Sequence, residues 1–536
     1  MATFTLDGKE IEITEGQGLI QAAQDQDVHI PHYCYHPGLT APANCRMCLV
    51  EIESGGRKGL VPACTSRPSE GMVVDTQSEV VKKNQEAVME FLLINHPLDC
   101  PICDQSGECG LQDYSFTYGP ESSRFFEKKS VQPKKDIGKN TLLYSDRCIR
   151  CTRCIRFCDE ISGTSELGYF NRGVHNEVDI FPGVPMDNRL SGNTVDICPV
   201  GALLDKEFLF KQRVWFLKEQ ETICPGCSAG CNITVSHNKD RIYRLTPREN
   251  LDVNDYWMCD DGRHGWGYVH RDDRLNFPEI GRQSEGALAL WTAAMDALRD
   301  GFAKVRETHG DGSVAGIASG HLTNEENYLF GRLMKEGLGV GQVGLASATS
   351  SEGDVGFKSG FTIRADKSPN ARGVHEVMGG LGVAVVDASE IWKGIQEGRI
   401  KALYLLGGGF SPEYSEAERA ALRSLEFLVV QDILRTEAAE EADLILPGAS
   451  AFEKDGTFTN VDGRVQRIRP AFRSPGDSKP DWEILKEAGS ALGIAFDYSD
   501  ASSVLDDIAV QVKAFEGLSY DSIAGNGQLL ATVGEG

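Results

Sequence analysis

Hydrophobic and polar positions alternate at the start of the chain and then change to helical spacing. Residues 3–13, TFTLDGKEIEI, alternate around an LDGK turn, which predicts a β-hairpin. Residues 18–26 predict a short helix, and residues 78–96 predict a longer helix that ends before Pro97. The stretch PHYCYHPGLTAPANCRMC between the two helices is predicted to be a loop that carries metal ligands.

From about Trp266 onward, helix and strand patterns alternate regularly. Helices are predicted at 292–305 and 323–339, and strands at 313–320, 400–409, 424–433 and within 441–466. This alternation predicts α/β layers.

Length and charge describe a multidomain globular protein. The chain has 536 residues, too many for one ordinary core, which predicts three to five domains. Its net charge of −25 argues against a nucleic-acid partner, because phosphate binding needs clustered Lys and Arg. No apolar run is long enough to predict a transmembrane helix, so a partner would have to hold the protein at a membrane.

Sixteen cysteines, all between Cys34 and Cys259, are the most informative part of the composition. The N-terminal residues lack the basic and apolar regions of a signal peptide, which predicts a reducing compartment. Clustered thiols in such a compartment indicate metal sites rather than disulfides. The cysteines fall into four groups along the chain.

The first group is Cys34, Cys45, Cys48 and Cys64. A hairpin, a helix and a ligand loop predict a ferredoxin-like β-grasp domain. Plant-type ferredoxins combine a C-x2-C core with a distant fourth cysteine to bind a [2Fe–2S] cluster. A zinc ribbon is the alternative, but it usually has two C-x2-C knuckles, and this group has one.

The third group is Cys148, Cys151, Cys154 and Cys158, with the C-x2-C-x2-C-x3-C spacing of bacterial ferredoxins. In that fold the fourth cysteine of the run serves a second cluster, and the first cluster takes a remote cysteine followed by proline. Cys198-Pro199 matches this remote position. No cysteine lies between Cys158 and Cys198, so one [4Fe–4S] cluster is predicted, with Cys198 replacing Cys158.

The second group, Cys100, Cys103 and Cys109, offers only three thiols. Cys158 is spare in the third group and could complete the site, as could His96, four residues before Cys100. The residues alone leave both candidates open, since a lone histidine is more often structural than a ligand.

The fourth group is Cys224, Cys227, Cys231 and Cys259. Three close thiols and a distant fourth suit a [4Fe–4S] cluster, with zinc as the alternative.

Four motifs resemble those of the large iron–sulfur subunit family of NADH:quinone oxidoreductase, respiratory complex I. They are HYCYHPGL with NCRMCLVE, NHPLDCPICDQSGECGLQD, DRCIRCTRCIRFCDEI and DICPVGAL. The resemblance implies that His96 is the fourth ligand of the second cluster and that Cys158 serves no cluster. Some bacterial members carry a fourth cluster where the fourth cysteine group lies, which implies a bacterial source.

The resemblance therefore implies one [2Fe–2S] cluster and three [4Fe–4S] clusters. The implied metal ligands are Cys34, Cys45, Cys48 and Cys64; His96, Cys100, Cys103 and Cys109; Cys148, Cys151, Cys154 and Cys198; and Cys224, Cys227, Cys231 and Cys259. No catalytic residue is expected, and no cofactor-binding residue beyond these ligands.

The expected architecture combines α+β and α/β domains. The five expected domains are a β-grasp [2Fe–2S] ferredoxin domain at 1–78, a [4Fe–4S] module with one His and three Cys ligands at 79–138, a ferredoxin-like [4Fe–4S] module at 139–217, a four-Cys [4Fe–4S] domain of molybdopterin-enzyme type at 218–275, and a truncated, vestigial molybdopterin-oxidoreductase-like α/β scaffold at 276–536.

The C-terminal part resembles molybdopterin enzymes more loosely, and two departures imply that it binds no molybdenum. Such enzymes commonly ligate the metal through Cys, selenocysteine or Ser, and no cysteine follows Cys259. They also usually have a lysine two residues beyond the last cluster cysteine, where this chain has Asp261.

The implied function is electron relay within a multisubunit oxidoreductase. The expected partners are the FMN- and NADH-binding flavoprotein, which supplies electrons, and a quinone-side iron–sulfur subunit that receives them. The expected location is peripheral, on the cytoplasmic face of the bacterial inner membrane, held there by partner subunits with no direct membrane span. The alternatives are the catalytic subunit of an NAD-linked formate dehydrogenase, an iron-only hydrogenase, and a zinc-bound scaffold.

Three weaker patterns have simpler interpretations. Gly339, Gly341 and Gly344 match G-x-G-x-x-G but follow a predicted helix instead of a strand, so no dinucleotide site is predicted. LGGG at 406–409 is predicted to be a strand-end turn rather than a phosphate cradle. Four arginines beside the third group could favour its reduced cluster or form a solvated helix face; they are Arg147, Arg150, Arg153 and Arg156.

Overall fold

The computed structural model describes residues 2–282, 287–346, 348–407 and 414–531. The chain divides into two compact units. The first contains Met1–Leu217 with Phe357–Phe361, and the second contains Lys218–Gly356 with Thr362–Gly536. Within the described ranges, no helix has the length and apolar character needed to cross a membrane.

The first unit begins with a five-stranded sheet and one helix. The elements are β1 (Thr3–Leu6), β2 (Lys9–Glu12), α1 (Leu19–Gln24), β3 (Leu49–Ser54), β4 (Arg57–Pro62) and β5 (Val73–Asp75), and the strand order is β2-β1-β5-β3-β4. The predicted hairpin is confirmed, because β1 and β2 pair in antiparallel register. Its turn residues Asp7 and Gly8 both have positive φ, 48° and 85°, as a two-residue hairpin turn requires. The predicted helix α1 packs Leu19 and Ile20 into the core beneath the sheet.

Longer helices and two small sheets complete the first unit. These elements are α2 (Glu79–Leu93), α3 (Gly110–Tyr118), β6 (Lys134–Asp136), β7 (Thr141–Tyr144), α4 (Arg153–Phe157), β8 (Leu167–Phe170), β9 (Glu177–Ile180), α5 (Asn193–Asp196) and β10 (Leu203–Asp205). The sheets have the orders β10-β7-β6 and β8-β9. Helix α2 begins after Ser78, whose hydroxyl accepts a hydrogen bond from the Val81 amide, and it ends before Pro97, as predicted.

The second unit opens with an antiparallel sheet of three strands and a short helix. They are β11 (Lys218–Ile223), β12 (Asn232–Asn238), β13 (Arg241–Pro247) and α6 (Asp260–His264). The inward positions of β12 include Ile233 and Val235, which are fully buried.

A sheet of eight strands with helices on both faces forms the main body of the second unit. Its strand order is β15-β14-β23-β22-β21-β16-β17-β20, and the six strands from β23 to β20 are parallel. Its strands are β14 (Glu279–Ile280), β15 (Ala287–Leu288), β16 (Val314–Ala318), β17 (Gln342–Leu345), β20 (Ala384–Asp387), β21 (Ala402–Leu406), β22 (Phe427–Asp432) and β23 (Leu444–Pro447). The predicted α/β layering is therefore present.

The remaining elements flank or extend this sheet. They are α7 (Trp291–His309), α8 (Asn324–Arg332), β18 (Val355–Gly356), β19 (Thr362–Ile363), α9 (Ala371–Gly380), α10 (Ala388–Gln396), α11 (Glu416–Ser424), α12 (Glu437–Glu440), β24 (Gly456–Thr459), β25 (Arg464–Ile468), α13 (Asp481–Ala491), α14 (Ala501–Gln511) and β26 (Gln528–Leu529).

Strand β21 shows why the predicted strands of this region are almost wholly apolar. Tyr404 and Leu406 lie in the core on one face of the sheet, and Leu403 and Leu405 lie in the core on the other face. A parallel strand covered on both faces needs hydrophobic side chains at every position.

The glycine patterns do not form a phosphate-binding turn in the described residues. Gly344 lies inside strand β17, so the G-x-G-x-x-G match leads from a loop into a strand. The dinucleotide fingerprint needs the opposite order, a strand followed by a helix. Of the LGGG stretch, Gly408 and Gly409 lie outside the described residues.

Candidate metal centres

The first cysteine set is brought together by two loops and a short turn. Cys34 and Cys48 are buried, and Cys45 and Cys64 are half-buried. The thiols of Cys45 and Cys64 donate hydrogen bonds to the sulfur of Cys34, and Cys64 also contacts Cys48. These bonds lower the pKa of Cys34 to about 2 and raise the pKa values of Cys45 and Cys64. The sulfurs of all four predicted ligands of this set therefore lie next to one another, each in contact with at least one other.

The second set gathers three thiols around the start of α3. Cys100 begins a 3-10 turn and is exposed, whereas Cys103 and Cys109 are buried. The three thiols interact electrostatically with one another. Burial raises the pKa of Cys103 and raises that of Cys109 to about 11.

His96 lies on the C-terminal side of α2 and is half-buried. It lines a cavity of about 160 Å³ together with Cys148, a thiol of the third set. Burial, the positive charge of Arg147 and that of Lys129 lower the pKa of His96 to about 4. The ring is therefore neutral at pH 7 and keeps a nitrogen lone pair, as a metal-binding imidazole requires.

The third set is held by a loop with two left-handed residues. Arg150 and Thr152 have φ of 56° and 67° between the successive cysteines, which folds the three nearby thiols toward one region. Cys148, Cys151 and Cys154 interact electrostatically with each other and with the remote Cys198. Burial raises all four pKa values, that of Cys151 to about 11.

Cys158 has a polar partner of its own. It is fully buried where α4 ends and a wide helical turn, Cys158–Ser162, begins. Its thiol is hydrogen-bonded to the carboxylate of Glu166. Burial, and to a smaller extent the negative charge of Glu166, raise the pKa of Cys158. The Glu166 carboxylate also accepts hydrogen bonds from Thr164 and, at 3.0 Å, from Asn188. Cys158 therefore has a carboxylate as its hydrogen-bond partner within the protein.

The fourth set is compact and buried. Its thiols line a small cavity of about 20 Å³; they are Cys224, Cys227, Cys231 and Cys259. A glycine allows close approach, because a Cβ added at Gly262 would lie 2.8 Å from the sulfur of Cys224 and 3.6 Å from that of Cys259. The amide of Gly262 also donates a hydrogen bond to the sulfur of Cys259 at 3.4 Å.

A lysine that the sequence interpretation missed lies beside the fourth set. Lys367, in the segment after β19, lines the same cavity as Asp261. The sequence places Asp261 where molybdopterin enzymes usually have a lysine. In the fold, Lys367 lines the cavity as well, so a carboxylate and a cation are both present there. The two residues are far apart along the chain, and no local pattern marks Lys367.

The four arginines near the third set are not a uniform solvated face. Arg150 is exposed, but Arg147 is buried. Arg153 donates hydrogen bonds to the backbone oxygens of Tyr35 and, at 3.1 Å, Ile197. Arg156 donates to the backbone oxygens of Cys34 and Thr40. The latter two arginines therefore join the third set to the loop of the first set.

Thiols of three sets share one apolar core in the first unit. The core includes Tyr33, Cys34, Met47, Met89, Cys109, Leu111, Cys151, Val200 and Ala202, with Cys45, Cys148 and Cys198 packed against it.

The described residues contain no group of three or more His, Cys, Asp or Glu side chains arranged to hold a single metal ion. A cluster of two or four irons divides its protein ligands among different metals, so its thiols need not converge on one point. The donor chemistry, soft sulfur ligands in every set, suits iron–sulfur clusters.

Five family models match successive parts of the chain. They are the 2Fe-2S iron-sulfur cluster binding domain (residues 1–79), the NADH-ubiquinone oxidoreductase-G iron-sulfur binding region (85–124), the NADH-quinone oxidoreductase subunit 3 ferredoxin-like domain (138–204), the molybdopterin oxidoreductase Fe4S4 domain (217–271) and molybdopterin oxidoreductase (376–490). The chain thus contains 2Fe-2S and Fe4S4 domains together with a molybdopterin-oxidoreductase segment.

Relatives match over nearly the whole chain. The G subunit of the NADH-quinone oxidoreductase of Rickettsia felis is 31% identical, and the match covers 96% of this chain and 91% of the relative. The mitochondrial NADH-ubiquinone oxidoreductase 78 kDa subunit of Neurospora crassa is 32% identical, with 97% and 84% covered. Among solved structures, a chain from an NAD+-reducing [NiFe]-hydrogenase in the H2-reduced state is 29% identical, covering 40% of this chain and 91% of that chain, with a TM-score of 0.35.

Proposed function

The chain belongs to the family of NADH-quinone oxidoreductase G subunits, and on that premise we propose that it relays electrons from a flavin (FMN) subunit that oxidises NADH toward quinone. It is a component of an oxidoreductase complex, and we propose that it has no substrate site of its own.

The observation that carries this proposal is the shared apolar core of the first unit. Thiols from the first, second and third sets lie in or against it, among them Cys34, Cys109 and Cys151. A common core fixes the sets relative to one another and reduces the exposure of its buried thiols to water. Both conditions favour electron transfer from one cluster to the next.

We assign one [2Fe–2S] cluster to the first set and one [4Fe–4S] cluster to each of the others. Bound clusters would supply one-electron oxidation and reduction. The protein holds the ligands, limits solvent access and supplies nearby charges and hydrogen bonds, which together tune the potentials. Close glycine contacts support this fit, since a Cβ at Gly201 would lie 2.3 Å from the sulfur of Cys103.

We propose His96 as the fourth ligand of the second set. Its ring is neutral at pH 7, whereas the thiol of the other candidate, Cys158, is hydrogen-bonded to the carboxylate of Glu166. A neutral imidazole in place of a thiolate raises the reduction potential of a cluster, as it does in Rieske centres.

The proposed partners are the FMN-containing, NADH-binding flavoprotein and a quinone-side iron–sulfur subunit. Together with other subunits of the complex, they would hold the chain at the cytoplasmic face of a bacterial inner membrane. The proposed domains have the limits 1–78, 79–138, 139–217, 218–275 and 276–536. In this arrangement the last domain is a scaffold that binds no molybdenum.

Low-temperature EPR of the reduced protein tests the cluster assignment. Signals from one binuclear and three cubane clusters are expected. Zinc in a colourless protein without acid-labile sulfide would contradict the proposal. Stoichiometric molybdenum or tungsten would instead favour the formate dehydrogenase alternative.

Substitution of the two competing ligands tests the second set. His96→Ala is expected to alter one cubane signal selectively, because it removes a proposed ligand. Cys158→Ser, the matched variant at the competing position, is expected to leave all four signals in place. The reverse pattern would reassign the ligand to Cys158.

A further inference from the structure

Arg147 is a buried arginine immediately before the first thiol of the third set. It ends the 3-10 turn Ser145–Arg147 after strand β7, and only 2% of its surface is exposed. A buried guanidinium is costly unless charged or polar groups surround it, so its partners indicate what it contributes.

The guanidinium of Arg147 contacts the loops of two sets. Its Nε and Nη2 donate hydrogen bonds to Oδ2 of Asp99 at 3.1 and 2.8 Å, and Asp99 directly precedes Cys100 of the second set. Its Nη1 donates to the backbone oxygen of Gly201 at 3.4 Å, in the loop that follows Cys198 of the third set. Arg147 therefore ties the ligand loop of the second set to a ligand loop of the third.

The same guanidinium is held in place by an aromatic ring. Its central carbon lies 4.0 Å from the centroid of the Tyr144 ring, a favourable cation–π distance. The Tyr144 ring covers one side of the guanidinium. The hydrogen bonds from the guanidinium to Asp99 and Gly201 fix the orientation of the Arg147 side chain. Lysine could keep the charge but not this planar set of contacts.

The guanidinium of Arg147 lies near Cys103 of the second set, with Gly201 packed between them. A Cβ added at Gly201 would lie 2.3 Å from the sulfur of Cys103 and 3.8 Å from Nη1 of Arg147, so the glycine packs between sulfur and cation.

We infer that Arg147 is a positioning residue that fixes the second set against the third and raises the reduction potential of the cluster bound by the second set. This inference rests on the proposed function. Reduction adds negative charge to a cluster, and a fixed cation in a poorly screened interior stabilises that charge.

Redox titration of the assembled complex, followed by EPR, tests this inference. Arg147→Met is expected to shift the cubane signal that His96→Ala perturbs to a lower midpoint potential, with smaller shifts for the other clusters. Arg147→Lys keeps the charge and loses the planar contacts, so its shift should be smaller. Arg124→Met removes an exposed arginine paired with Glu90 and should leave every midpoint unchanged.

Arg147→Met leaves the carboxylate of Asp99 without its cationic partner. Neutralising Asp99 tests the same pair of charges without leaving an unpaired carboxylate. Asp99→Asn removes the negative partner and should raise the same midpoint potential. The double variant Asp99→Asn/Arg147→Met should lie between the two single variants. If the midpoint potential is the same in wild type and in Arg147→Met, Arg147 does not tune the cluster. The same conclusion follows if the double variant and both single variants share one midpoint potential.

The failure of this inference can be told apart from failure of the proposed function. If the wild-type protein shows no cubane signals, the proposed function itself is wrong. If the wild-type signals are present and Arg147→Met leaves their potentials unchanged, only the role of Arg147 is wrong.

Discussion

The two units of the molecule relate their cysteines to their hydrophobic cores in different ways. In the first unit, thiols from three sets are members or neighbours of one apolar core, alongside Tyr33 and Met89. In the second unit, the fourth set lines a small cavity, and the large cores on the two faces of the eight-stranded sheet contain no cysteine among their described members. The proposed cluster ligands are therefore part of a hydrophobic core in the first unit and lie apart from the two large cores of the second unit.

The second unit is held together partly by buried charges instead. Nζ of Lys454 lies 2.8 Å from the carboxylates of both Glu326 and Asp481, and all three side chains are almost completely buried. In the first unit, the buried cation Arg147 connects ligand loops. The two cations differ in their partners, because Lys454 faces two buried carboxylates, whereas Asp99, the partner of Arg147, is about 30% exposed.

The largest effect should come from removing a thiol of the shared core. Cys151→Ser is expected to abolish one cubane signal and reduce NADH:quinone activity to background, because the third set belongs to the proposed relay. Cys227→Ser, the matched change in the fourth set, should remove a different cubane signal and leave most of the activity. EPR and turnover of the assembled complex measure both. Equal losses of activity would show that the fourth set lies on the electron path together with the third.

The next effect concerns the buried charges of the second unit. Lys454→Met leaves two buried carboxylates without their cation and should lower the free energy of unfolding by about 3–5 kcal/mol. Urea unfolding followed by tryptophan fluorescence measures this loss, while the EPR signals of the first unit should persist. Arg299→Met, at an exposed ion pair with Asp296, should cost less than about 1 kcal/mol. Similar costs for the two variants would contradict the importance of the buried network.

A smaller effect should appear as a pH dependence of stability in the second unit. Burial raises the pKa of Glu325 to about 8 in the folded state. The folded state therefore binds more protons than the unfolded state between about pH 4.3 and pH 8, and the free energy of unfolding falls as pH rises through this window, by a few kcal/mol at most. This contribution is fully present below the unfolded pKa and is lost as pH passes the folded value.

Urea midpoints at pH 5.5 and pH 8 test the role of Glu325. Glu325→Gln should flatten the pH dependence, because it removes the titrating group. Glu307→Gln, at an exposed position on α7, should retain the wild-type slope. An unchanged slope in Glu325→Gln would assign the dependence to other groups.

The smallest effects compare helix caps in the two units. Thr323 caps α8 in a reciprocal capping box with Glu326 and is fully buried, whereas Ser78 caps α2 at a half-buried position. Thr323→Ala should therefore cost more than Ser78→Ala, within a range of about 0.5–2 kcal/mol for both. Thermal unfolding of both variants measures the difference, and a larger cost for Ser78→Ala would reverse the expected order.

Local patterns were sufficient to predict much of the fold. The hairpin β1–β2, the helices α1 and α2, and the apolar strands β16, β21 and β22 were all predicted, because hydrophobic period and turn chemistry act over a few neighbouring residues. The strand order of the large sheet was not predicted, since it depends on pairings between segments that are distant in the chain.

The sequence by itself determined which residue types could hold metal, because ligand spacing such as C-x2-C is a local property of the chain. Only the tertiary structure decided the surroundings of those ligands. It pairs Cys158 with Glu166, brings Lys367 to the fourth set and turns Arg153 and Arg156 toward the loop of the first set. The contacts of Lys367, Arg153 and Arg156 join residues more than one hundred positions apart. The contact between Cys158 and Glu166 spans only a turn, but no spacing rule identifies a carboxylate as the partner of a thiol.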